Sequence, residues 1–186
     1  MRADKKEMEE MELVERLRNP ATTRSAFDEM MRKYGEQVYW QIRKMVLGHD
    51  DAVDLLQNVF LKAWNNIDHF RGDARLSTWL YKIAVNESIT FLNKEKSRLG
   101  LAADDEDRHL VENLAADEYF DGDELHIELQ KAIAALPEKQ RLVFNMRYFD
   151  EMPYEQISEI LGTSVGALKA NYHHAVKKIS QAIASL

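Results

Sequence analysis

Apolar residues recur at intervals of three and four along the first half of the chain, which is the period of an α-helix. The first such pattern runs over about residues 22–47 and ends at Gly48. A second pattern covers about residues 51–68, and a third ends near Lys94. The sequence therefore predicts three long helices ahead of residue 100.

Polar residues mark the starts of two of these helices. Asp50 and Asp51 are placed to supply an N-cap and a first-turn acid for the second helix. The segment Phe70–Asp73 is a predicted loop, and Ser77 or Thr78 is the predicted cap of the third helix.

Four shorter helical patterns occupy the end of the chain. They cover about residues 125–136, 137–149, 153–161 and 164–185. Pro137 and Pro153 suit the first turn of a helix, Gly162 suits a helix end, and Ser164 is a good N-cap. Seven glycines and three prolines are too few for a turn-rich β fold. The predicted fold is all-α.

Composition narrows the class of protein. The chain has 186 residues, of which 45% are hydrophobic and 31% charged, as in globular proteins. The absence of cysteine excludes disulfides, thiolate metal sites and cysteine nucleophiles. No apolar run approaches the roughly 20 residues of a membrane helix, and the charged N-terminus does not resemble a signal peptide. We expect a cytoplasmic protein.

The negative charge is concentrated in one segment. The net charge is −7, yet residues 101–128 alone carry eleven acids and one base. Such a segment repels itself and is expected to be an extended, flexible linker. We therefore predict an N-terminal extension over 1–20, mobile and charged, and a first domain over 21–99. An acidic linker over 100–124 and a second domain over 125–186 follow.

The last two predicted helices have the spacing of a DNA-binding helix-turn-helix. Gly162 permits the tight turn, and from there to the end of the chain no acid occurs. A plain helical hairpin with a solvated polar face is the alternative. His173 and His174 are adjacent and point about 100° apart on a helix, so they do not form a chelating pair. No metal or other cofactor is predicted.

The first domain has two features beyond a simple helical bundle. Its second helix carries Leu55, Leu61 and Trp64 away from the apolar stripe, which indicates a surface for a partner. Its third helix interleaves aromatic and basic residues, which unstacked single-stranded DNA would require. The alternative for the aromatic residues is an ordinary core.

Two long stretches together resemble a known family. They are HDDAVDLLQNVFLKAWNNIDHFRGDARLSTWLYKIAVNESITFLNKEKSR, residues 49–98, and LPEKQRLVFNMRYFDEMPYEQISEILGTSVGALKANYHHAVKKI, residues 136–179. They look like the two characteristic regions of extracytoplasmic-function (ECF) sigma factors of the sigma-70 family. Both occur in the expected order, with the acidic segment between them.

The resemblance implies an alternative sigma factor that binds core RNA polymerase and directs initiation at specific promoters. The second helix is similar to the element that docks on the clamp helices of the largest polymerase subunit. The matching residues are Asp54, Gln57, Asn58, Leu61 and Trp64. The second domain is expected to contact the flap of the second-largest subunit.

The resemblance also implies two promoter contacts. The loop and third helix look like the part that melts the −10 element and captures a flipped base. The matching residues are Phe70, Arg71, Asp73, Arg75, Ser77, Trp79 and Asn86, with Lys94 and Arg98 on upstream phosphates. The helix-turn-helix looks like the reader of the −35 element, through Ser164, Lys169, Ala170, His173, His174 and Lys177.

Family members are commonly inhibited by an anti-sigma factor, which can be membrane-anchored, so we expect such a partner. The chain itself is not expected to insert into a membrane. Two alternatives remain at this point: a stand-alone helix-turn-helix regulator, and an α-helical adaptor that binds only proteins. An enzyme is not predicted, because the chain has neither a Gly-rich phosphate loop nor an H-E-x-x-H or G-x-S-x-G motif.

Overall fold

The computed structural model describes residues 2–70, 72, 74–100 and 124–184. Over these residues the protein is all-α, as predicted, with eight α-helices. They are α1 (Arg2–Arg18), α2 (Thr23–Val46), α3 (His49–Asn66), α4 (Leu76–Leu99), α5 (Glu124–Ala134), α6 (Glu138–Phe144), α7 (Tyr154–Leu161) and α8 (Val165–Ile183). A 3₁₀ turn, Ile67–His69, follows α3, and a π-helical turn, Asn145–Phe149, follows α6. The predicted acidic linker lies almost wholly outside the described residues.

The three long helices of the first domain pack against one another. Buried side chains recur at the predicted spacing, and α3 has a buried face on one side only. That face consists of Ala52, Leu55, Val59, Phe60 and Ala63. The prediction that Leu55 belongs to a partner surface was wrong, because that side chain is part of the core. Full burial of a leucine, valine or phenylalanine side chain contributes roughly 1.5–3 kcal/mol to the stability of the fold. The remaining faces of α3 are therefore left for the surface.

The starts of α3 and α4 differ from the prediction. Gly48 is the N-cap of α3, and both Asp50 and Asp51 lie in its first turn, where they complement the helix dipole. Helix α4 begins at Leu76, before the predicted cap residues, and its N-cap Arg75 provides no capping side chain. The predictions of Asp50, Ser77 and Thr78 as caps were wrong, because a local pattern does not fix the first helical residue.

Residues 2–18 form helix α1 rather than a mobile extension. Leu13 and Leu17, one helical turn apart, are each 1% exposed in the core of the first domain. Arg16 Nη1 also donates a hydrogen bond to Glu29 Oε2 of α2 over 2.6 Å. The charged residues around the two leucines concealed this short apolar stripe in the sequence.

The second domain contains the four predicted helices. Gly162 has φ +62°, so the turn between α7 and α8 uses the left-handed conformation that glycine adopts freely. Ser164 caps α8 as predicted, because its Oγ accepts a hydrogen bond from the Ala167 N–H over 3.3 Å. The predicted helix over 137–149 is shorter, since its last turn is π-helical.

The two domains touch. Lys44 Nζ of α2 lies 2.5 Å from Asp150 Oδ1, and Asn145 Nδ2 donates to the Lys44 carbonyl oxygen over 3.1 Å. Gln156 Nε2 of α7 donates to Thr78 Oγ1 of α4 over 3.0 Å. Buried apolar residues from both domains form one continuous cluster. The sequence predicted two separate cores, whereas the larger apolar cluster is shared between the domains and only a smaller one, around Phe144 and Ile179, belongs to the second domain alone.

The packing of α1 is tested by shortening one of its buried leucines. We expect Leu17→Ala to lower the free energy of unfolding by about 2–4 kcal/mol, because it removes a fully buried side chain and leaves a cavity. Glu15→Ala, on the exposed side of the same helix, is the control. Urea unfolding followed by circular dichroism measures both. Equal stability of the two variants would contradict the packing of α1.

Candidate functional site

An apolar groove runs between α2 and α3. Its volume is about 710 Å³, and Phe27, Met31, Leu61 and Trp64 are among the side chains that line it. Leu61 is 59% exposed and Trp64 41% exposed. The Trp64 ring packs edge-on against Phe27, with 4.9 Å between ring centroids. Exposed large apolar side chains gathered on one surface are typical of a protein-docking site.

The predicted polymerase-binding residues lie on this side of α3. Asp54, Gln57 and Asn58 are all exposed, and Gln57 lines the groove together with Leu61 and Trp64. Asp54 is three residues from Gln57 and four from Asn58, and each of those two is three or four residues from Leu61, so they lie on one side of the helix. The contribution of α2 to the groove, through Phe27 and Met31, was not predicted, because the α2 pattern alone indicated core positions.

A second, more polar pocket of about 360 Å³ lies between α3 and α4. Its lining residues are Lys62, Asn66, His69, Trp79, Ile83, Asn86 and Glu87. Lys62 and Glu87 form an ion pair between the two helices. The pocket therefore offers an aromatic face beside amide and charged groups, which suits an unstacked base.

Two of the residues predicted to contact the −10 element, Trp79 and Asn86, meet in this pocket. Sequence reasoning missed Lys62, Asn66 and His69. Their intervals of four and three residues continue one face from α3 into the following 3₁₀ turn. That spacing indicates one polar face in the sequence, but nothing in the sequence predicts that this face lies next to α4.

The side chain predicted at Phe70 is not on the surface. Phe70 is 5% exposed, and its ring centroid lies 5.0 Å from that of Trp79 at a tilt of 43°. In this conformation the Phe70 ring packs against Trp79 and is not itself open to DNA. Arg71 and Asp73 lie outside the described residues.

The other predicted −10 residues are spread along α4. Arg75 is exposed at its N-cap, and Ser77 is partly exposed in its first turn. Lys94 and Arg98 are exposed in the C-terminal part of the helix, where Arg98 pairs with Glu95 over 2.7 Å. From Trp79 to Lys94 the helix rises about 22 Å, the length of six or seven stacked base pairs.

Helix α8 presents the predicted −35 residues on its solvent side. Lys169, Ala170, His173, His174 and Lys177 are all exposed, as is the cap Ser164. The opposite side buries Leu168, Ala175 and Ile179. The Lys169 ammonium lies 5.7 Å from the centre of the Tyr154 ring in α7, a cation–π arrangement. Helix α8 is therefore packed on one face and free on the other.

Comparison with known proteins identifies the family. The model for sigma-70 region 2 matches residues 30–98, and the model for sigma-70 region 4 matches residues 126–179. The chain is 31% identical to the ECF RNA polymerase sigma factor SigW of Bacillus subtilis over 169 residues, 87% of this chain and 90% of the relative. The chain is an ECF sigma factor of the sigma-70 family. It is thus a transcription initiation factor, and the family resemblance is confirmed.

Two further similarities span nearly the whole of this sigma factor. It is 28% identical to the RNA polymerase sigma-H factor of Pseudomonas aeruginosa over 186 residues, 96% of this chain and 95% of the relative. The fold matches the solved structure of CnrH in complex with the cytosolic domain of CnrY with a TM-score of 0.68. That match has 18% identity and covers 95% of this chain and 97% of the other.

The matched regions of the sigma factor correspond to its two helical units. Region 2 contains most of α2, all of α3 and all but the last residue of α4. It includes the Trp79 pocket and most of the groove, although Phe27 of the groove precedes the matched segment. Region 4 contains α6, α7 and most of α5 and α8. A stand-alone regulator or an adaptor would account for only part of these matches. Among the described residues, no helix has an apolar stretch long enough to cross a bilayer.

Proposed function

We propose that this sigma factor docks on core RNA polymerase through the groove of α2 and α3 and opens the −10 element with the Trp79 pocket. Helix α8 reads the −35 element as duplex. The clamp helices of the largest subunit are the partner of the groove, and the flap of the second-largest subunit is the partner of the second domain. The factor performs no catalysis, and it acts in the bacterial cytoplasm.

The observation that carries this proposal is the position of α3. Leu61 and Trp64 line the groove on one flank, while Lys62 and Asn66 line the base pocket on the other. A single rigid helix thus connects the docking surface to the proposed melting surface. Docking on polymerase would fix the pocket relative to the DNA that the polymerase holds, which lowers the entropic cost of capturing a base.

We expect Trp64→Ala to weaken binding to core polymerase by about tenfold or more, as removal of a central aromatic anchor does. Trp40→Ala is the matched control, because Trp40 is 51% exposed on α2 and does not line the groove. Fluorescence anisotropy of labelled factor titrated with core polymerase measures both affinities. Equal losses in the two variants would place the docking surface elsewhere.

The same apolar groove is the proposed binding site of an anti-sigma factor. An inhibitor that covers Leu61 and Trp64 would compete directly with polymerase for them. The similar protein CnrH was solved with the cytosolic domain of CnrY. This supports a partner for the present chain that binds through a cytosolic domain, and we propose that the rest of that partner anchors it to the membrane.

The promoter function is tested by transcription in vitro. Core polymerase with this factor should start transcripts at defined sites on genomic DNA, and mapping those sites gives the −10 and −35 sequences. Core polymerase alone is the control. The isolated factor should bind duplex promoter weakly, because its own basic surfaces are small and polymerase supplies most of the phosphate contacts. Start sites that do not depend on the factor would contradict the proposal.

We expect Lys169→Ala to lower promoter affinity of the holoenzyme by about 5- to 100-fold, the range for loss of a base-edge or close phosphate contact. The matched control is Lys139→Ala, which removes an exposed lysine from α6, outside the recognition helix. Filter binding on a mapped promoter at fixed salt measures the effect. A larger loss for the Lys139 variant would contradict the role of α8.

The contact between the domains must open for this function. Elements centred at −35 and −10 are 25 base pairs apart, or about 85 Å along straight B-DNA. In the structure, Gln156 of α7 is bonded to Thr78 of α4, the residue next to Trp79. A protein closed in this way cannot place α8 and the Trp79 pocket on both elements at once.

The ion pair between Lys44 and Asp150 is the partly buried polar component of this closed contact. Burial raises the pKa of the Asp150 carboxyl, and the hydrogen bond and charge of Lys44 only partly oppose that shift. Loss of Lys44 would leave the largely buried carboxylate without its counter-charge, which costs up to about 3 kcal/mol, the lower end of the range for fully buried pairs. Replacement of both partners by apolar residues avoids that cost.

We therefore expect Lys44→Met to open the free protein. Its radius of gyration in small-angle scattering should rise by several ångströms above the roughly 16 Å of a compact chain of this length. The double variant Lys44→Met with Asp150→Leu should stay compact and serves as the control. A single variant as compact as the native chain would show that the ion pair does not hold the domains together.

A further inference from the structure

We propose that α1 is a positioning element for the −10 surface, because Glu10 and Arg18 hold the two ends of the connection between the 3₁₀ turn and α4. This inference rests on the proposed function of the Trp79 pocket. Helix α1 lies ahead of the segment matched by the region 2 model, which begins at residue 30. Its role is therefore one that the family match does not assign.

Glu10 holds the far end of the connection. Its Oε1 accepts a hydrogen bond from the backbone N–H of Leu76, the first residue of α4. Since the N-cap Arg75 contributes no capping side chain, this carboxylate takes the place of a cap. A negative charge there also complements the positive end of the helix dipole.

The Glu10 carboxylate is anchored from a second side. Burial, together with the charge and hydrogen bonding of Glu10, raises the pKa of the Tyr34 hydroxyl to about 12. Tyr34 belongs to the buried face of α2. Glu10 thus joins α1, α2 and the start of α4 at one point, and the start of α4 determines where Arg75 and Ser77 stand.

Arg18 holds the near end of the connection. Its Nη2 donates a hydrogen bond to the Phe70 carbonyl oxygen over 2.7 Å. The same atom would lie 3.5 Å from a Cβ placed on Gly72, so the guanidinium packs close to the backbone there. Because the Phe70 ring supports Trp79, fixing the Phe70 backbone also fixes one wall of the base pocket.

Helix α1 is itself held firmly enough to transmit this constraint. Leu13 and Leu17 are buried in the first domain, and Arg16 is bonded to Glu29 of α2. Thr22 Oγ1 also donates to the Arg16 carbonyl oxygen over 2.8 Å. Because the surface is already ordered in the free protein, binding of DNA does not incur the entropic cost of ordering it, and the net binding free energy is more favourable.

The first test measures order at the pocket in the free protein. In hydrogen exchange, Glu10→Ala should speed exchange of the amides at residues 76–79 by about fivefold or more, the factor for loss of one net hydrogen bond. Glu10→Gln keeps an acceptor and should retain most of the protection. Glu12→Ala, on the exposed part of α1, is the control and should have no effect. Unchanged exchange in the Glu10→Ala variant would overturn the inference.

The second test measures base discrimination by the holoenzyme. On a mapped promoter, we compare transcription from the native −10 element with transcription from a single-base variant of it. The ratio of the two should fall about fivefold for Arg18→Ala, the factor that corresponds to the loss of one net hydrogen bond. Core polymerase affinity should stay within about twofold, since Arg18 lies outside the groove. Arg32→Ala, an exposed arginine of α2, is the control.

The outcomes separate the inference from the proposed function. If Arg18→Ala lowers transcription equally from both promoters, α1 has only a structural role and the inference is overturned. If Arg18→Ala lowers polymerase affinity instead, the inference is also overturned. If the unaltered holoenzyme shows no preference at the −10 element, the proposed function of the pocket fails, and that result needs no substitution in α1.

Discussion

The packing of α3 between α2 and α4 is the constraint on which the rest of the molecule depends. A helix held between two neighbours buries one face and exposes two flanks. Val59 lies on the buried face, Leu61 and Trp64 line the groove on one flank, and Lys62 and Asn66 line the pocket on the other. The core that stabilises the domain therefore also sets the geometry between its two surfaces.

Support for the pocket extends outward through further layers. Trp79 rests on the buried ring of Phe70, and the Phe70 backbone is bonded to Arg18 of α1. The leucines of α1 are in turn part of the same apolar cluster as α3 and α4. An aromatic wall that must receive a flipped base is thus held by successive contacts rather than by its own helix alone.

Contact between the domains favours a compact form that the proposed function must disrupt. The interface joins a shared apolar core to a partly buried ion pair, Lys44 with Asp150, whose desolvation opposes part of its attraction. This interface is stable while both residues of the ion pair are present, and it is weakened when one of them is removed. Docking on polymerase and on DNA would supply the free energy that keeps the domains apart.

The sequence by itself determined every described helix except α1, together with the helix-turn-helix, because these depend on local periodicity and on turn residues such as Gly162 and Ser164. It indicated the family through the resemblance of two long stretches, residues 49–98 and 136–179. It also indicated Trp64 as exposed, since that residue stood outside the apolar stripe of its helix. Only the tertiary structure decided that Glu10 caps α4, because its partner Leu76 is 66 residues away. The same holds for the burial of α1, the lining of the pocket by two helices and the contact between the domains. All of these depend on which surfaces meet in space, and the spacing of residues along the chain carries no record of that.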